Sequence, residues 1–183
     1  MLNPSPNPEK TKWIQHAEGV YEIEEFLTEK TQNLFLSMID DDGWATFSYG
    51  NIAKPINPEN QLKIKELVSN KISSMFLNVS ELTTIGSLRK LTKGDNMALH
   101  KDNSHQDDRG TIMFGIVIYL NDDFSGGELF YPSLNLNIKP KARSLVVHDA
   151  KLAHGVKNVT SGTRYCVTTF VFGNESTKLI VES

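Results

Sequence analysis

Residues 111–132 read "TIMFGIVIYLNDDFSGGELFYP". The first half is a strand-like apolar run. It stops at Asn121-Asp122-Asp123, and Gly126-Gly127 then leads into a second strand-like run, "GELFYP". Similar runs lie on both sides. On the N-terminal side are "SLRKLT" (87–92) and "MALHKD" (97–102), separated by Gly94-Asp95. On the C-terminal side are "LNLNIK" (134–139), "SLVVHD" (144–149), "AHGVKNV" (153–159), "TRYCVTTFVFG" (163–173) and "KLIVES" (178–183), with a turn at Ser161-Gly162. Many short strands with turn chemistry between them predict a double sheet or jelly-roll barrel.

The N-terminal part has a different period. "YEIEEFLTEKTQNLFLSMI" (21–39) mixes helix formers with apolar residues at three- and four-residue steps. In 57–79, Asn57 can cap and Pro58 suits a first helical position. Ile64, Leu67, Val68, Ile72, Met75, Phe76 and Val79 form one stripe there. This reads as helices packed on a sheet. The fold class is α+β, mainly β: a jelly-roll core over about 86–183 with supporting helices over about 20–80. Together they make one domain from 13 to 183, after a flexible tail at 1–12, "MLNPSPNPEKTK".

The 183 residues can bury a sizeable core without disulfides. A net charge of -3 argues against a basic nucleic-acid or membrane footprint. No run approaches the ~18 apolar residues of a membrane span, and the first residues lack the apolar core of a signal peptide. A cytoplasmic protein is the expectation. The lone cysteine, Cys166, reads as a small buried core residue.

Chemistry concentrates in the histidines: His16, His100, His105, His148 and His154. His16 precedes the β-rich part and reads as surface. His-x-Asp occurs twice in "ALHKDNSHQDDRG" (98–110), as His100/Asp102 and His105/Asp107. In a strand, residues i and i+2 share a face about 6.5–7 Å apart, so both side chains can converge on one ion. Apolar residues lead into the first pair, whereas nothing fixes the backbone of the second, which reads as exposed loop. A third ligand is needed. His148 and His154 are both candidates, and residue type does not separate them. Two histidines and one carboxylate on one face of a metal suit non-heme Fe(II).

Four segments, "KLTKGDNMALHKD" (90–102), "GIVIYLNDDFSGGELFYP" (115–132), "IKPKARSLVVHD" (138–149) and "HGVKNVTSGTRYCVTTF" (154–170), resemble in order the core of 2-oxoglutarate-dependent Fe(II) dioxygenases. The nearest branch is the prolyl 4-hydroxylase-like one. The resemblance covers roughly residues 88 to 172. It implies Fe(II), 2-oxoglutarate and O2, with ascorbate as a further cofactor. His100, Asp102 and His154 take the places of the iron ligands. Arg164, ten residues after His154, takes that of the base for the far carboxylate of 2-oxoglutarate. Tyr119 matches a tyrosine that also bonds this co-substrate in some branches. His148 falls where the family has an apolar or aromatic residue and reads as packing or as support behind the ligands. Leu91, Asn96 and Met97 stand where many prolyl hydroxylases have tyrosines. Gly126-Gly127-Glu128 reads as a structural turn. The Asn103–Gly110 loop, Trp44 and Tyr49 are candidates for the border of a substrate groove.

The implied activity is hydroxylation of a C–H bond on a peptidyl or protein residue such as proline, with 2-oxoglutarate decarboxylated to succinate and CO2. A peptide or protein is the expected partner, and a small-molecule substrate such as a free amino acid is an alternative. Nucleic-acid demethylation is disfavoured, since Phe170 stands where alkylation-repair relatives have a second arginine. A non-catalytic jelly-roll binding module is the reading from another class.

Overall fold

The computed structural model describes residues 12–46, 52–104 and 106–181. The tail reading over 1–11, together with Tyr49 and His105, lies outside the described residues. In chain order the strands are β1 (Trp13–Ala17), β2 (Val20–Ile23), β3 (Ala45–Thr46), β4 (Ile52–Pro55), β5 (Phe76–Leu77), β6 (Glu81–Leu82), β7 (Ser87–Thr92), β8 (Met97–His100) and β9 (Gln106–Asp107). They continue with β10 (Gly110–Tyr119), β11 (Ser125–Gly126), β12 (Leu129–Tyr131), β13 (Leu136–Ile138), β14 (Leu145–Asp149), β15 (His154–Val156), β16 (Val159–Ser161), β17 (Thr163–Gly173) and β18 (Lys178–Leu179).

Two antiparallel sheets form the jelly roll. The larger runs β1-β2-β14-β10-β17-β7-β4-β3, with β6 on β17 and β9 on β10, and the smaller runs β13-β12-β15-β8. Period-two alternation sends the two faces of the large sheet to different cores. Ile116, Ile118, Leu145, Val147, Val167 and Val171 face outward onto Phe35, Ile64, Val68 and Ile72 of the helices. Val117, Tyr119, Val146 and Cys166 face inward onto Leu129, Tyr131, Ile138 and Val156 of the small sheet. Cys166 is buried in that interior, as its apolar surroundings in sequence indicate.

The helices are shorter than the periodicity suggests. Tyr21-Glu22-Ile23 belong to β2 because the ladder to β14 satisfies their backbone, pairing Tyr21 with Val147 and Glu22 with Val146. Glu25 then adopts a φ of 53°, which no right-handed helix contains. Helix α1 runs only from Glu29 to Leu36, capped by Thr28, whose hydroxyl accepts from Thr31 N–H at 3.1 Å. The second helix starts as read: Asn57 accepts from Asn60 N–H at 2.9 Å and Pro58 opens α2 (Pro58–Ile64). A π-helical stretch (Lys65–Ser69) follows, then α3 (Asn70–Ser73). That wider turn keeps Ile64, Val68 and Ile72 in line and leaves Leu67 51% exposed, so the buried stripe is narrower than the spacing implies. Each of the three buried residues contributes about 1.5–3 kcal/mol. Val79 lies beyond the helix, since Phe76–Leu77 pairs with β18. Among the described residues, no helix is long and apolar enough to cross a membrane.

Candidate metal and co-substrate site

The space between the sheets holds a cavity of about 300 Å³ lined by His100, Asp102, His148, His154 and Arg164 among others. Three strands bring the histidines together. His100 ends β8 and His154 opens β15, and the two are direct partners in the ladder between these strands. His148 comes across the gap from β14.

Asp102 is not on a strand. The continuation of β8 through 102 predicted by the His-x-Asp argument does not hold: β8 ends at His100, and Asp102 opens a short 3-10 helix (Asp102–Ser104). The backbone leaves the sheet because the N–H groups of Asp102 and Asn103 both donate to Ala150 O, each at 3.2 Å. The carboxylate still reaches the histidines. Asp102 Oδ1 lies 3.5 Å from His100 Nε2, and Asp102 Oδ2 lies 3.7 Å from His154 Nε2. One ligand atom each from His100, Asp102 and His154 fits within 4.8 Å of the others.

Hydrogen bonding sets the tautomers. His100 Nδ1 is 2.8 Å from Ala98 O, and His154 Nδ1 is 3.0 Å from Leu152 O. A carbonyl only accepts, so both Nδ1 atoms carry hydrogen; in a neutral ring Nε2 then presents a lone pair, whereas the Nε2 of a protonated His100 donates to Asp102. Metal-binding histidines have the neutral arrangement. His148 is the opposite case. Its Nε2 lies 2.9 Å from Asp102 Oδ2, and an ionised carboxylate accepts only, so this Nε2 bears the hydrogen. His148 thus supports the carboxylate from behind, the second of the two readings the sequence leaves for it.

Charge states agree with a cation site. Burial works against ionisation of Asp102, but hydrogen bonds from His100 and His148 outweigh it and hold the carboxyl far below the usual range. The Asp102 hydrogen bond raises the His100 imidazole. Burial, then the neighbouring His148, pushes His154 down to about 4, so it is a neutral donor at pH 7.

Arg164 lines the same cavity; Tyr119 is not among the lining residues but lies against Arg164. Arg164 is 2% exposed; its Nη1 donates to Cys166 Sγ at 3.2 Å and its guanidinium carbon lies 5.0 Å from the centre of the Tyr119 ring. Among the described residues, Arg164 Nε and Tyr119 Oη are buried with no hydrogen-bond partner. Burial pushes the Tyr119 hydroxyl up to about 12 against the pull of Arg164, so it stays a donor. A buried guanidinium with one orphaned N–H, beside an orphaned hydroxyl, suits a carboxylate.

The other candidates fall elsewhere. Trp44 is not among the cavity-lining residues. It packs on Tyr165, with ring centres 6.1 Å apart, under the Lys90 ammonium, and its Nε1 donates to Asp40 O. Among the described residues, none from Asn103 to Gly110 lines the cavity either. Arg109 stacks 4.1 Å from the Phe172 ring centre and pairs with Asp107, which anchors this segment as a hairpin, β9 on β10. Glu128 is outside the ligand cluster, and His16 is exposed and paired with Glu22 at 2.7 Å. Tyr131 and Gly115, which the sequence reading did not single out, both touch His148 or its surroundings. For Gly115 a signal existed: a lone glycine inside the apolar run "MFGIV" marks a close approach. For Tyr131, one aromatic in a strand gives none.

No family model matches the chain. A PKHD-type hydroxylase of Prochlorococcus marinus is 26% identical over 129 residues, which are 66% of this chain and 58% of that relative's length. The viral collagen prolyl hydroxylase of Paramecium bursaria Chlorella virus-1, solved with 2OG, superposes with a TM-score of 0.64 at 18% identity, over 84% of this chain and 95% of that one. A Trichoplax adhaerens prolyl hydroxylase, solved with a peptide fragment of the hypoxia inducible factor oxygen degradation domain, gives 0.67 at 17% identity, over 85% and 84%. The jelly-roll expectation holds. The sequence resemblance to the prolyl 4-hydroxylase-like branch of the 2-oxoglutarate/Fe(II) dioxygenases is borne out by the names these comparisons return.

Proposed function

We propose that this chain is a 2-oxoglutarate- and Fe(II)-dependent dioxygenase that hydroxylates a C–H bond of a peptidyl or protein residue such as proline. In the same reaction 2-oxoglutarate would lose CO2 and become succinate. One observation carries this reading: a single cavity is lined both by a cluster whose three metal-ligand atoms lie within 4.8 Å of one another and by the buried Arg164. The residues from 13 onward serve as one catalytic unit.

In this reading His100, Asp102 and His154 hold Fe(II), and Arg164 forks the far carboxylate of 2-oxoglutarate with permanent charge. Tyr119 adds a neutral hydrogen bond to the same carboxylate. Two neutral imidazoles and one carboxylate leave the metal a net charge of about +1, which favours a dianionic co-substrate. When bound, the iron supplies the oxygen-activating redox chemistry. The apolar walls, among them Ile112, Met97 and Phe170, exclude water from the reacting atoms. A peptide substrate is favoured by the Trichoplax relative, which was solved with one.

The test is turnover with Fe(II), O2, 2-oxoglutarate and ascorbate, the last keeping iron reduced, across candidate peptides and free amino acids. Succinate should form together with a product heavier by about 16 Da, one oxygen atom. His100→Ala should abolish both signals, and normal turnover in that variant would remove the reading.

A further inference from the structure

The sheet does not fix Asp102, so something else must aim its carboxylate. We propose that His148, backed by Tyr131 and accommodated by Gly115, is a positioning residue that holds the Asp102 carboxylate in its metal-binding orientation. The proposal rests on the reading of Asp102 as an iron ligand.

Three observations carry it. The first is a directed chain of two hydrogen bonds. Asp102 Oδ2 accepts from His148 Nε2–H at 2.9 Å, which makes Nδ1 of a neutral ring an acceptor. Tyr131 Oη lies 3.1 Å from that Nδ1 and donates to it. Tyr131 is fully buried and His148 is 1% exposed, so no water competes for either bond.

The second is register. Gly115 on β10 is the direct partner of His148 on β14. Opposite residues in an antiparallel pair carry their side chains on one face. A Cβ at Gly115 would run into Asp102 Oδ2 and His148 Nε2. The missing side chain is therefore the space in which the contact forms.

The third is that one segment supplies both anchors of Asp102. His148 near the end of β14 holds the side chain, while Ala150 O just beyond it holds the backbone N–H groups of Asp102 and Asn103. Ala150 N–H in turn donates to Met113 O at 3.0 Å, which ties the segment to β10. The β8 backbone aims His100, whereas β14 aims Asp102. His148 does not ligate in this arrangement, because the nitrogen facing the site carries the hydrogen it donates.

The test is titration of the full chain with Mn(II), followed by electron paramagnetic resonance. Co(II) absorption reports the ligand set, and thermal unfolding of each metal-free variant confirms folding. His148→Leu should weaken metal binding about 10- to 100-fold, as expected when an outer partner of a ligand is lost. His148→Gln keeps an N–H at similar reach and should recover most of the affinity with an unchanged Co(II) spectrum. Gly115→Ala removes no polar group, yet should weaken binding in the same direction. Tyr131→Phe should have the smallest effect. If His148→Leu folds and binds Mn(II) like wild type, the proposal fails while the oxygenase reading stands. A Co(II) spectrum altered in His148→Gln would make His148 a ligand and also overturn it. A wild type that binds neither Mn(II) nor 2-oxoglutarate overturns the oxygenase reading, and this proposal with it.

Discussion

At the histidine end of the cavity, His100 and His154 each tie one ring nitrogen to a backbone carbonyl, and Asp102 is held by His148. At the arginine end, Arg164 Nε and Tyr119 Oη are buried without a hydrogen-bond partner among the described residues. The first end is organised before anything binds. The second carries donors whose desolvation is not yet compensated. The difference suits an order of events in which a small cation meets a finished set of ligands and a flexible dianion completes the other end. It also separates two kinds of mutational effect. Changes at the organised end should remove function, whereas changes at the unsatisfied end should weaken binding without weakening the empty protein.

The largest effect should come from Asp102→Ala. It deletes the only carboxylate of the cluster and leaves His148 Nε2–H without its acceptor. Metal binding should fall by more than the about 100-fold expected for an outer partner, with turnover lost. Calorimetry with Mn(II) measures this, and tight binding in the variant would erase the contrast between the two ends.

Arg164→Met probes the other end. Removing one partner of a buried ion pair costs about 3–5 kcal/mol, so 2-oxoglutarate affinity should drop by about two to four powers of ten with metal binding nearly unchanged. The metal-free variant should unfold at no lower temperature than wild type, because the guanidinium it loses is already short of partners. A marked fall in that temperature would mean that the arginine end is as self-sufficient as the histidine end.

Acid sharpens the comparison further. Protons compete with the metal for imidazole. His154 is held down to about 4 by burial and then by His148, so it does not compete near neutrality. His100 is raised by its hydrogen bond to Asp102, so it sets the acid limit. Metal affinity should fall about tenfold per pH unit once pH drops below the raised His100 value, while the arginine end titrates nowhere in that range. Stability of the metal-free protein follows the other histidine. A folded value below the unfolded one means that His154 contributes stability above about 6.5 and loses it as pH falls toward about 4. Thermal midpoints across that window check the sign.

How much of this was legible from sequence depends on range. β7 and β17 coincide with the runs "SLRKLT" and "TRYCVTTFVFG", because strands buried along one or both faces write their pattern locally. The site is different. His100 and His154 lie 54 positions apart and meet through a ladder that no local period encodes; only ordered likeness to a family pairs them. The His-x-Asp spacing predicts a strand through Asp102, whereas Asp102 reaches the cluster from a 3-10 turn held by Ala150. Tyr21-Glu22-Ile23 went to β2 because an edge of β14 was available, a fact held elsewhere in the chain.

The finest test of the contrast is Tyr119→Phe. This hydroxyl is fully buried at the end of β10, and no described group bonds it. In the empty protein its removal should be neutral or slightly stabilising, because a buried donor without a partner costs more than the phenyl group that replaces it. With 2-oxoglutarate present the sign should reverse. On the proposed co-substrate role the hydroxyl then gains an acceptor, and losing a neutral hydrogen bond costs about 0.5–1.5 kcal/mol, or about 2- to 10-fold in affinity. Measuring unfolding temperature with and without 2-oxoglutarate reads both signs in one experiment. If Phe lowers stability in the empty protein, then Tyr119 Oη already has a use within the fold, and the arginine end is no less finished than the histidine end.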